Sequence, residues 1–426
     1  MTSPGSLQRK IILALLLLLA GTEFLVRGPM RFLRQSSDWN DLVPVYLPSR
    51  AWLMGANPYD PNIYANLWTQ TFDRPWSPAA ARSHAVYPIT AFVLLSPLAA
   101  LPWPAAQMVA SATTLLLVVI MAWCMIRFTE LEGDSRYLFA AGALALAPFH
   151  TGLATGNISI AVVALAGIAA YAIKQDEYLW GGVLLAVAVG LKPQIGLCFL
   201  AYYLLRRRWR VCGVAISGLV VLSFVAALRM HTLGFSWVTD FLRNNRAFVA
   251  ANRFDDFTSA NPIRFTLIDL QVPLLDFTGS KAAAALWAAG VVILLAVVWL
   301  VLFLNTSKPD DLLNLSVIVT LSLLPVYHRF YDAALLVFPL CWLLHANALK
   351  FFRLRVACAV LLVPFLFPGA TMLADAAAAG RIPQTILDSW AWRHLLMTHE
   401  IWALLLLVIV LLAAVRLQMG QRLPSR

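Results

Sequence analysis

Two carboxylates lie in a polar stretch, SSDWNDLVPVYLPSRAWLMGANPYD (Ser36 to Asp60), that follows the first long apolar segment of the chain. Asp38 and Asp41 stand three positions apart, so a helix would carry both on one side. A carboxylate held there acts as a general base when a substrate hydroxyl comes within hydrogen-bond reach. Helix capping is the alternative role, because serine, aspartate and asparagine side chains are all good N-caps.

The end of the same stretch, ANPYDP (Ala56 to Pro61), is predicted to form a turn. Asn-Pro initiates turns, and Gly55 suits the end of the preceding helix. Asp60 is therefore interpreted as a turn carboxylate rather than a catalyst.

Lys192 interrupts an apolar segment, AVAVGLKPQIGLCFL. A charge in such a place is costly and is a functional hypothesis by default. Pro193 predicts a break in the helix, which lets the lysine point into an outward cavity. The alternative is a lysine whose long side chain snorkels to the membrane interface.

The turn YHRFYD compresses His328, Arg329 and Asp332 between two apolar segments. The guanidinium fork suits phosphate oxygens, and a histidine can donate as well. With Lys192 these residues predict an anion site, although Asp332 could simply pair with Arg329. The second long polar loop holds further arginines that could add to this site or contact lipid headgroups: Arg243, Arg246, Arg253 and Arg264.

The composition predicts a membrane protein. Of the 426 residues, 61% are hydrophobic and 12% charged, with a mean hydropathy of +0.76, whereas a soluble domain carries roughly 25% charged residues. The net charge of +11 comes largely from groups such as RRRWR and KFFRLR beside apolar segments. We interpret them as topology signals and headgroup contacts rather than as a nucleic-acid surface.

Apolar runs predict an all-α protein with about 12 transmembrane helices. They lie at about 11–26, 87–101, 104–126, 157–173, 179–191, 193–205, 211–229, 282–304, 312–327, 331–347, 355–372 and 400–416. All of these basic groups lie on the cytoplasmic side, as the positive-inside rule requires, if the further apolar piece 138–150 is re-entrant. This arrangement then puts 28–86, 230–281, the YHRFYD turn and 373–399 on the outer face, the first two with short amphipathic helices on the membrane.

The same pattern divides the chain into five parts. They are 1–27, the cytoplasmic N-terminus and first transmembrane helix; 28–86, the outer loop with the catalytic candidates; 87–229, transmembrane helices; 230–281, a second outer loop; and 282–426, the C-terminal transmembrane helices.

No cofactor or metal site is predicted. The five cysteines lie in or beside apolar runs without metal-ligand or redox spacing, and the seven histidines form no HExxH pattern. A P-loop and a GxGxxG motif are absent from the sequence as well.

A base, a group of cations and a membrane location together match one reaction. Transfer of a sugar from a polyprenyl phosphate needs a base for the attacking hydroxyl and cations for the departing phosphate. A lipid-bound donor must also lie between membrane helices.

Five ordered segments resemble glycosyltransferase family 87, within the GT-C class: DLVPVYLPSRAWLMGANPYD, YPITAFVLLSPLAALP, the GNI of Gly156 to Ile158, GGVLLAVAVGLKPQIGLCFLAYYLLRRRWR and LLPVYHRFYDAALL. The likeness covers most of residues 10–345. It implies a GT-C helical bundle in the bacterial plasma (inner) membrane, with its site on the periplasmic face. The implied substrates are a polyprenyl-phosphate sugar, most often mannose, and a glycan or glycolipid acceptor, with arabinofuranose or glucose as alternative sugars and no metal required.

The resemblance also implies roles for individual residues. Asp41 takes the place of the catalytic base, with Asp38 as the near alternative, and the mechanism is a single displacement with inversion. Lys192, His328 and Arg329 would hold the donor phosphate. The family often has Gly-Gln-x-Asn where this chain has Gly-Asn-Ile-Ser, so Asn157 is only a supporting candidate, together with Tyr46, Tyr59 and Arg264.

Three other functions remain open from the sequence. A transporter or flippase of lipid-linked sugars would carry internal repeats and deep ionisable residues. A membrane scaffold would not need carboxylates and cations on one face. A polymerase or ligase of surface glycans would share much of the same chemistry.

Overall fold

The structure is a computed structural model that describes residues 4–34, 40–76, 85–248, 255–345 and 351–420. Asp38 and Arg253 therefore lie outside the described residues. Within these ranges the chain forms helices, and its β-structure is limited to an isolated antiparallel bridge between Leu267 and Arg329. The prediction of an all-α protein is confirmed.

The α-helices follow one another with short connections. Those up to residue 155 are α1 (Pro4–Arg27), α2 (Pro29–Phe32), α3 (Val43–Leu53), α4 (Pro61–Phe72), α5 (Ile89–Ala99), α6 (Trp103–Phe128), α7 (Asp134–Ala145) and α8 (Ala147–Thr155). Those up to residue 304 are α9 (Ser159–Lys174), α10 (Tyr178–Leu191), α11 (Pro193–Leu205), α12 (Trp209–Thr232), α13 (Trp237–Phe248), α14 (Gln271–Thr278) and α15 (Lys281–Leu304). The last are α16 (Asp311–Ser322), α17 (Val337–Leu344), α18 (Phe352–Leu362), α19 (Gly369–Ala378), α20 (Gln384–Leu387) and α21 (His399–Gly420). Tighter 3-10 turns occupy Arg264–Thr266, Phe330–Leu336 and Val363–Leu366, and Trp392–Leu396 is a π-helix.

The long apolar helices identify a helical membrane protein. Among the described residues, five helices are long and apolar enough to cross a bilayer: Leu7–Phe32, Trp103–Phe128, Trp209–Thr232, Lys281–Leu304 and His399–Gln418. Their outward side chains are strongly exposed, for example Leu286 at 73% and Leu294 at 63%. Such apolar exposure is expected where lipid is the solvent.

The predicted count of about 12 spans is not supported by helix length. Counting each bent helix pair as one span raises the number only to seven within the described part of the chain. The remaining apolar helices have 10–17 residues. The 11-residue α5 is about 16 Å long, roughly half of a 30 Å hydrocarbon core.

The apolar piece 138–150 lies in one of these bent pairs. Helices α7 and α8 meet at an angle of 44°. Both a broken span and a re-entrant loop have this geometry, so the re-entrant assignment stays a prediction.

The chain divides into two compact units. Unit 1 comprises Met1–Glu23, Thr129–Pro148 and Phe254–Arg426, and unit 2 comprises Phe24–Phe128 and Phe149–Arg253. In unit 2, α9 packs against α6 and α10, and α10 packs against α12. A Cβ on Gly182 of α10 would come within 2.6 Å of the Val214 side chain, so the missing side chain allows close approach of these helices.

In unit 1, α21 packs against α16 and α18, and α14 packs against α15. The Asp310 carboxylate caps α16 by accepting the backbone N–H groups of Leu312 and Leu313. Trp299 of α15 donates its indole N–H to Asn314 of α16 at 3.0 Å, which satisfies a buried polar pair between apolar helices.

Short helices occur in both stretches where the sequence predicts amphipathic ones, among them α4 in 28–86 and α13 in 230–281. Helices α4 and α13 both lie in unit 2. Asn57 donates to Asp240 of α13 at 2.6 Å, and Asn244 of α13 donates to the carbonyl of Tyr59 at 2.9 Å. The Tyr59 ring stacks on Trp237 with centroids 6.4 Å apart. These contacts fix α13 against the ANPYD turn.

Candidate active site

Three helix breaks bring polar side chains together in unit 2. Asp41 precedes α3, Asn157 lies between α8 and α9, and Lys192 lies between α10 and α11. Breaks of this kind expose backbone groups and side chains to one another inside apolar protein, where each polar atom needs a partner. The break predicted at Lys192-Pro193 is confirmed, with Pro193 as the first residue of α11.

The turn that carries Asn157 depends on a glycine. Gly156 has a φ of +69°, a conformation that costs little only without a Cβ. A Cβ there would also lie 2.3 Å from the Phe32 ring and 3.0 Å from Oδ1 of Asn40. Glycine at this position therefore allows the α8–α9 turn to approach the segment that carries Asp41.

Asp41 is held from two directions. Its backbone N–H donates to the carbonyl of Thr155 at 2.6 Å, and its Oδ2 accepts from Nδ2 of Asn157 at 3.1 Å. The N–H of Leu42 is taken by the side chain of Asn40 at 2.9 Å. Asn40 thus closes a local turn just before α3, and the carboxylate of Asp41 is turned toward Asn157.

A line of hydrogen bonds joins Asp41 to Lys192. Lys192 donates from Nζ to Oγ of Ser159 at 2.6 Å, and Ser159 Oγ donates to Oδ1 of Asn157 at 2.5 Å. Asn157 completes the line through its Nδ2 bond to Asp41. A cation and an anion, drawn from segments far apart in sequence, thus meet through two neutral side chains.

Lys192 does not snorkel to the surface. The residue is only 3% exposed, and Asp41 at the other end of the line is 6% exposed. Burying a charge is costly unless it is paired or hydrogen-bonded. Its burial and its contact with Ser159 argue against the interfacial alternative, and the functional role of the lysine stays a prediction.

An apolar cavity adjoins this line in unit 2. Its volume is about 350 Å³, and its walls come mainly from α5, α6 and the start of α9. Asn157 and Leu191 line it, as do Leu42 beside Asp41 and aliphatic side chains such as Leu94 and Leu98. The polar line therefore borders a space suited to an apolar molecule.

The YHRFYD turn lies in unit 1 and forms its own polar cluster. Nδ1 of His328 lies 3.0 Å from Oδ2 of Asp332, and both side chains are fully buried. The same carboxylate oxygen accepts the backbone N–H of Arg329 at 3.2 Å. Asp332 thus orients the histidine and the backbone of the turn.

The guanidinium of Arg329 contacts hydroxyl groups. Its Nε donates to the hydroxyl of Tyr327 at 2.8 Å and a terminal nitrogen donates to Thr266 at 3.0 Å. Burial lowers the pKa of Arg329, but the hydrogen bond to the Tyr327 hydroxyl and the nearby Asp255 carboxylate outweigh it, and the pKa is raised. The guanidinium stays a cation, although only 7% of the residue is exposed.

Two arginines of the second loop are paired with carboxylates. Arg264 makes a bidentate pair with Asp276, with both N–O distances at 2.9 Å. Arg243 lies 2.8 Å from Asp240. These pairings favour structural roles, and the supporting role predicted for Arg264 stays untested.

A buried carboxyl, Asp269, stands close in sequence to Arg264. Burial raises its pKa to about 6, although the backbone N–H groups of Gln271 and Val272 oppose the shift. The residue caps the start of α14 by accepting the N–H of Gln271 at 2.8 Å.

The two supporting tyrosines make structural hydrogen bonds in unit 2. Tyr46 donates to the carbonyl of Leu101 at 2.8 Å, and Tyr59 donates to that of Tyr87 at 3.0 Å. Asp60 is the N-cap of α4 and accepts the N–H of Asn62 at 2.8 Å. Its interpretation as a turn carboxylate is confirmed.

Unit 2 therefore contains Asp41, Asn157 and Lys192 in one hydrogen-bonded line, and unit 1 contains His328, Arg329 and Arg264. The line includes a residue that sequence reasoning missed, Ser159. Its signal was its place in the Gly-Asn-x-Ser turn at the start of α9. Among the residues with described positions, no group of three or more His, Cys, Asp or Glu side chains is placed to hold a metal ion.

Comparison with known proteins gives two matches. The model of glycosyltransferase family 87 matches residues 85–326, more than half of the chain. The polyprenol-phosphate-mannose-dependent alpha-(1-2)-phosphatidylinositol mannoside mannosyltransferase of Mycobacterium tuberculosis (strain ATCC 25618 / H37Rv) is 26% identical over 313 residues, which cover 69% of this chain and 67% of that protein. No solved structure matches. The family match contains Asn157, Ser159 and Lys192, and it excludes Asp41, His328 and Arg329.

Proposed function

Because this chain belongs to glycosyltransferase family 87, we propose that it transfers a hexose, mannose in the first instance, from a polyprenyl phosphate to an acceptor hydroxyl. The chain is a helical membrane protein and a glycosyltransferase. The donor, the acceptor and the residues that act are the proposed part.

The observation that carries this proposal is the line from Asp41 to Lys192 beside an apolar cavity. It supports a base and a cation next to an apolar space, which Asn157 and the neighbouring residues Leu42 and Leu191 line. In the proposed step, Asp41 removes the proton of the acceptor hydroxyl as its oxygen attacks the anomeric carbon. The bond from that carbon to the phosphate oxygen breaks with inversion, and the lipid phosphate leaves as an anion.

The nature of the donor is supported by a relative and by the cavity. The mycobacterial relative is by name dependent on polyprenol-phosphate-mannose and acts on a phosphatidylinositol mannoside. The cavity of about 350 Å³ could receive only a few isoprene units, which is enough to anchor the phosphate end of such a lipid. We propose a glycolipid or glycan as the acceptor.

Cations provide the second half of the mechanism. Lys192 acts on the donor phosphate, and His328 and Arg329 contribute from the YHRFYD turn. Each stabilises negative charge as it develops on the leaving group, which is where preorganised donors accelerate transfer. The burial of Lys192 supports this role, since low polarity strengthens its field.

The proposed architecture is a GT-C bundle of about 12 spans in a bacterial inner membrane, with the site on the periplasmic face. Five long helices, the bent pair Phe352–Leu366 with Gly369–Ala378 and the six shorter apolar helices make up this number, with 134–155 re-entrant. The shorter helices would cross while packed against protein, where an irregular backbone is tolerated.

A donor panel tests the proposal directly. Purified protein is incubated with radiolabelled polyprenyl-phosphate mannose, glucose and arabinofuranose and with membrane lipid extract. We expect label from a polyprenyl phosphate, mannose first, to appear in a new lipid or glycan product. If no polyprenyl-phosphate sugar is used while a nucleotide sugar is, the proposed donor class is wrong.

A further inference from the structure

Ser159 occupies the centre of the line in unit 2. It is the first residue of α9 and is fully buried, and its hydroxyl has Lys192 on one side and Asn157 on the other. We infer that Ser159 is a positioning residue that sets the orientation of Asn157 and, through it, holds the Asp41 carboxylate for catalysis. This inference rests on the proposed role of Asp41 as base.

The direction of the hydrogen bonds follows from the groups themselves. An ammonium has only donors, so Oγ of Ser159 must accept from Nζ of Lys192 at 2.6 Å. The single hydroxyl proton then points to the other close partner, Oδ1 of Asn157 at 2.5 Å. The lysine charge therefore determines which way the serine hydroxyl donates.

Ser159 also determines which end of the Asn157 amide faces Asp41. The backbone N–H of Ser159 can only donate, and it lies 2.9 Å from the same Oδ1. Two donors on one oxygen make a flipped amide unfavourable, because Nδ2 would then face them both. Nδ2 is consequently directed at Oδ2 of Asp41, where it can hold a carboxylate.

Packing alone does not account for a serine here. Its helix, SIAVVALAGIAAYAIK, is otherwise apolar up to Tyr171 and Lys174 at its far end, and alanine has the higher helix propensity. A buried hydroxyl costs free energy unless it is hydrogen-bonded. Ser316 of α16 gives a matched comparison, because it is equally buried and donates to the carbonyl of Leu312 in its own helix.

Kinetics with the proposed mannose donor test the role. Ser159→Ala removes the hydroxyl, and Ser159→Cys keeps its approximate size with a weaker hydrogen-bonding group. We expect both to lower kcat about ten- to hundredfold, in line with the loss of a hydrogen bond that acts on a charged group. The donor KM should change by less than about threefold, since Lys192 is kept. Ser316→Ala should retain the wild-type kcat.

A double-mutant cycle separates positioning from general stability. If Ser159 acts through Asn157, then Ser159→Ala combined with Asn157→Ala should have the kcat of Asn157→Ala alone. Multiplying losses of kcat would overturn the inference, as would an unchanged kcat in Ser159→Ala.

Thermal unfolding of the same four proteins distinguishes this inference from the proposed function. The losses in Tm should be non-additive, because the two side chains share a hydrogen bond. If the wild-type protein transfers no sugar, the catalytic role of Asp41 is rejected and the positioning role of Ser159 with it. Non-additive Tm values in that case would still show that the hydrogen bond between Ser159 and Asn157 exists. Additive Tm values would contradict the line of hydrogen bonds itself.

Discussion

Asn157 donates from Nδ2 to the Asp41 carboxylate over 3.1 Å, across 116 positions of sequence. The same amide is held at its other end by Ser159. A carboxylate that accepts such a bond keeps a defined orientation, which is what a general base needs before a hydroxyl arrives. Asn157 thus has a specific contact that the family resemblance alone did not assign to it.

Lys192 should determine how well the lipid donor is used. Lys192→Ala removes the cation proposed to act on the donor phosphate, so we expect kcat/KM for the donor to fall about ten- to a thousandfold. Steady-state kinetics at varied donor concentration measure this. Lys174→Ala is the control. Lys174 is the last residue of α9, and it donates to the carbonyl of Phe128 at the end of α6 rather than to the line of hydrogen bonds. Equal kinetics for both variants would remove the phosphate role of Lys192.

The α8–α9 turn should not tolerate a side chain at Gly156. Gly156→Ala places a Cβ 2.3 Å from Phe32, so we expect a clear loss in Tm and in transfer. Gly234→Ala is matched in backbone strain, with a φ of +73°, but a Cβ there meets no atom within 4 Å. The difference in Tm between the two variants isolates the steric effect. Overpacking of this kind costs about 1–3 kcal/mol in the free energy of unfolding. Equal Tm values would contradict the close approach of Phe32.

Asp269 should make stability depend on pH. Burial raises its pKa from 3.8 to about 6, so the folded state binds the proton more tightly than the unfolded state does. The free energy of unfolding should fall as pH rises from about 4 to 6 and then level off. Asp269→Asn removes this effect and should raise Tm more at pH 7.5 than at pH 4.5. The corresponding gain in the free energy of unfolding at pH 7.5 is at most on the order of 2–3 kcal/mol.

Thermal scans of wild type and Asp269→Asn across this pH range provide the measurement. Asp388→Asn, an exposed change in the same unit, is the control. A pH-independent difference between Asp269→Asn and wild type would show that burial does not perturb this carboxyl.

The first outer loop and the YHRFYD turn should be accessible from the same side of the membrane. Asn62→Cys and Val326→Cys place thiols at exposed positions beside these two regions. We expect a membrane-impermeant maleimide to label both in intact cells, with the wild-type protein as the blank. Arg210→Cys, in the basic RRRWR segment, should be labelled only after permeabilisation. Labelling of residues 62 and 326 from opposite sides would rule out a shared site.

Local chemistry in the sequence predicted several parts of this structure. Pro193 predicted the break at Lys192, and Asn-Pro predicted the turn that contains Asp60, which the structure shows also caps α4. These features follow from backbone restrictions that act within a few residues.

The remaining features depend on contacts that no local pattern encodes. Ser159 resembled any small residue in an apolar helix, and its role appeared only when α10 and α11 placed Lys192 beside it. Pairing of Asp332 with Arg329 was left open by the sequence, and the structure shows that Asp332 contacts His328 and accepts the backbone N–H of Arg329. The apolar runs were also longer than several helices, because turns interrupt them, so the span count was not supported.

The role of Asp41 as general base is tested most directly by transfer from polyprenyl-phosphate mannose with Asp41→Asn. Asparagine keeps the size of the side chain and can still accept from Asn157, so the fold should persist, with Tm close to wild type. We expect the rate to fall about 10²- to 10⁴-fold, the range for loss of a general base. Asp60→Asn should transfer at the wild-type rate, because asparagine caps α4 equally well. A wild-type rate in Asp41→Asn would contradict the proposed mechanism.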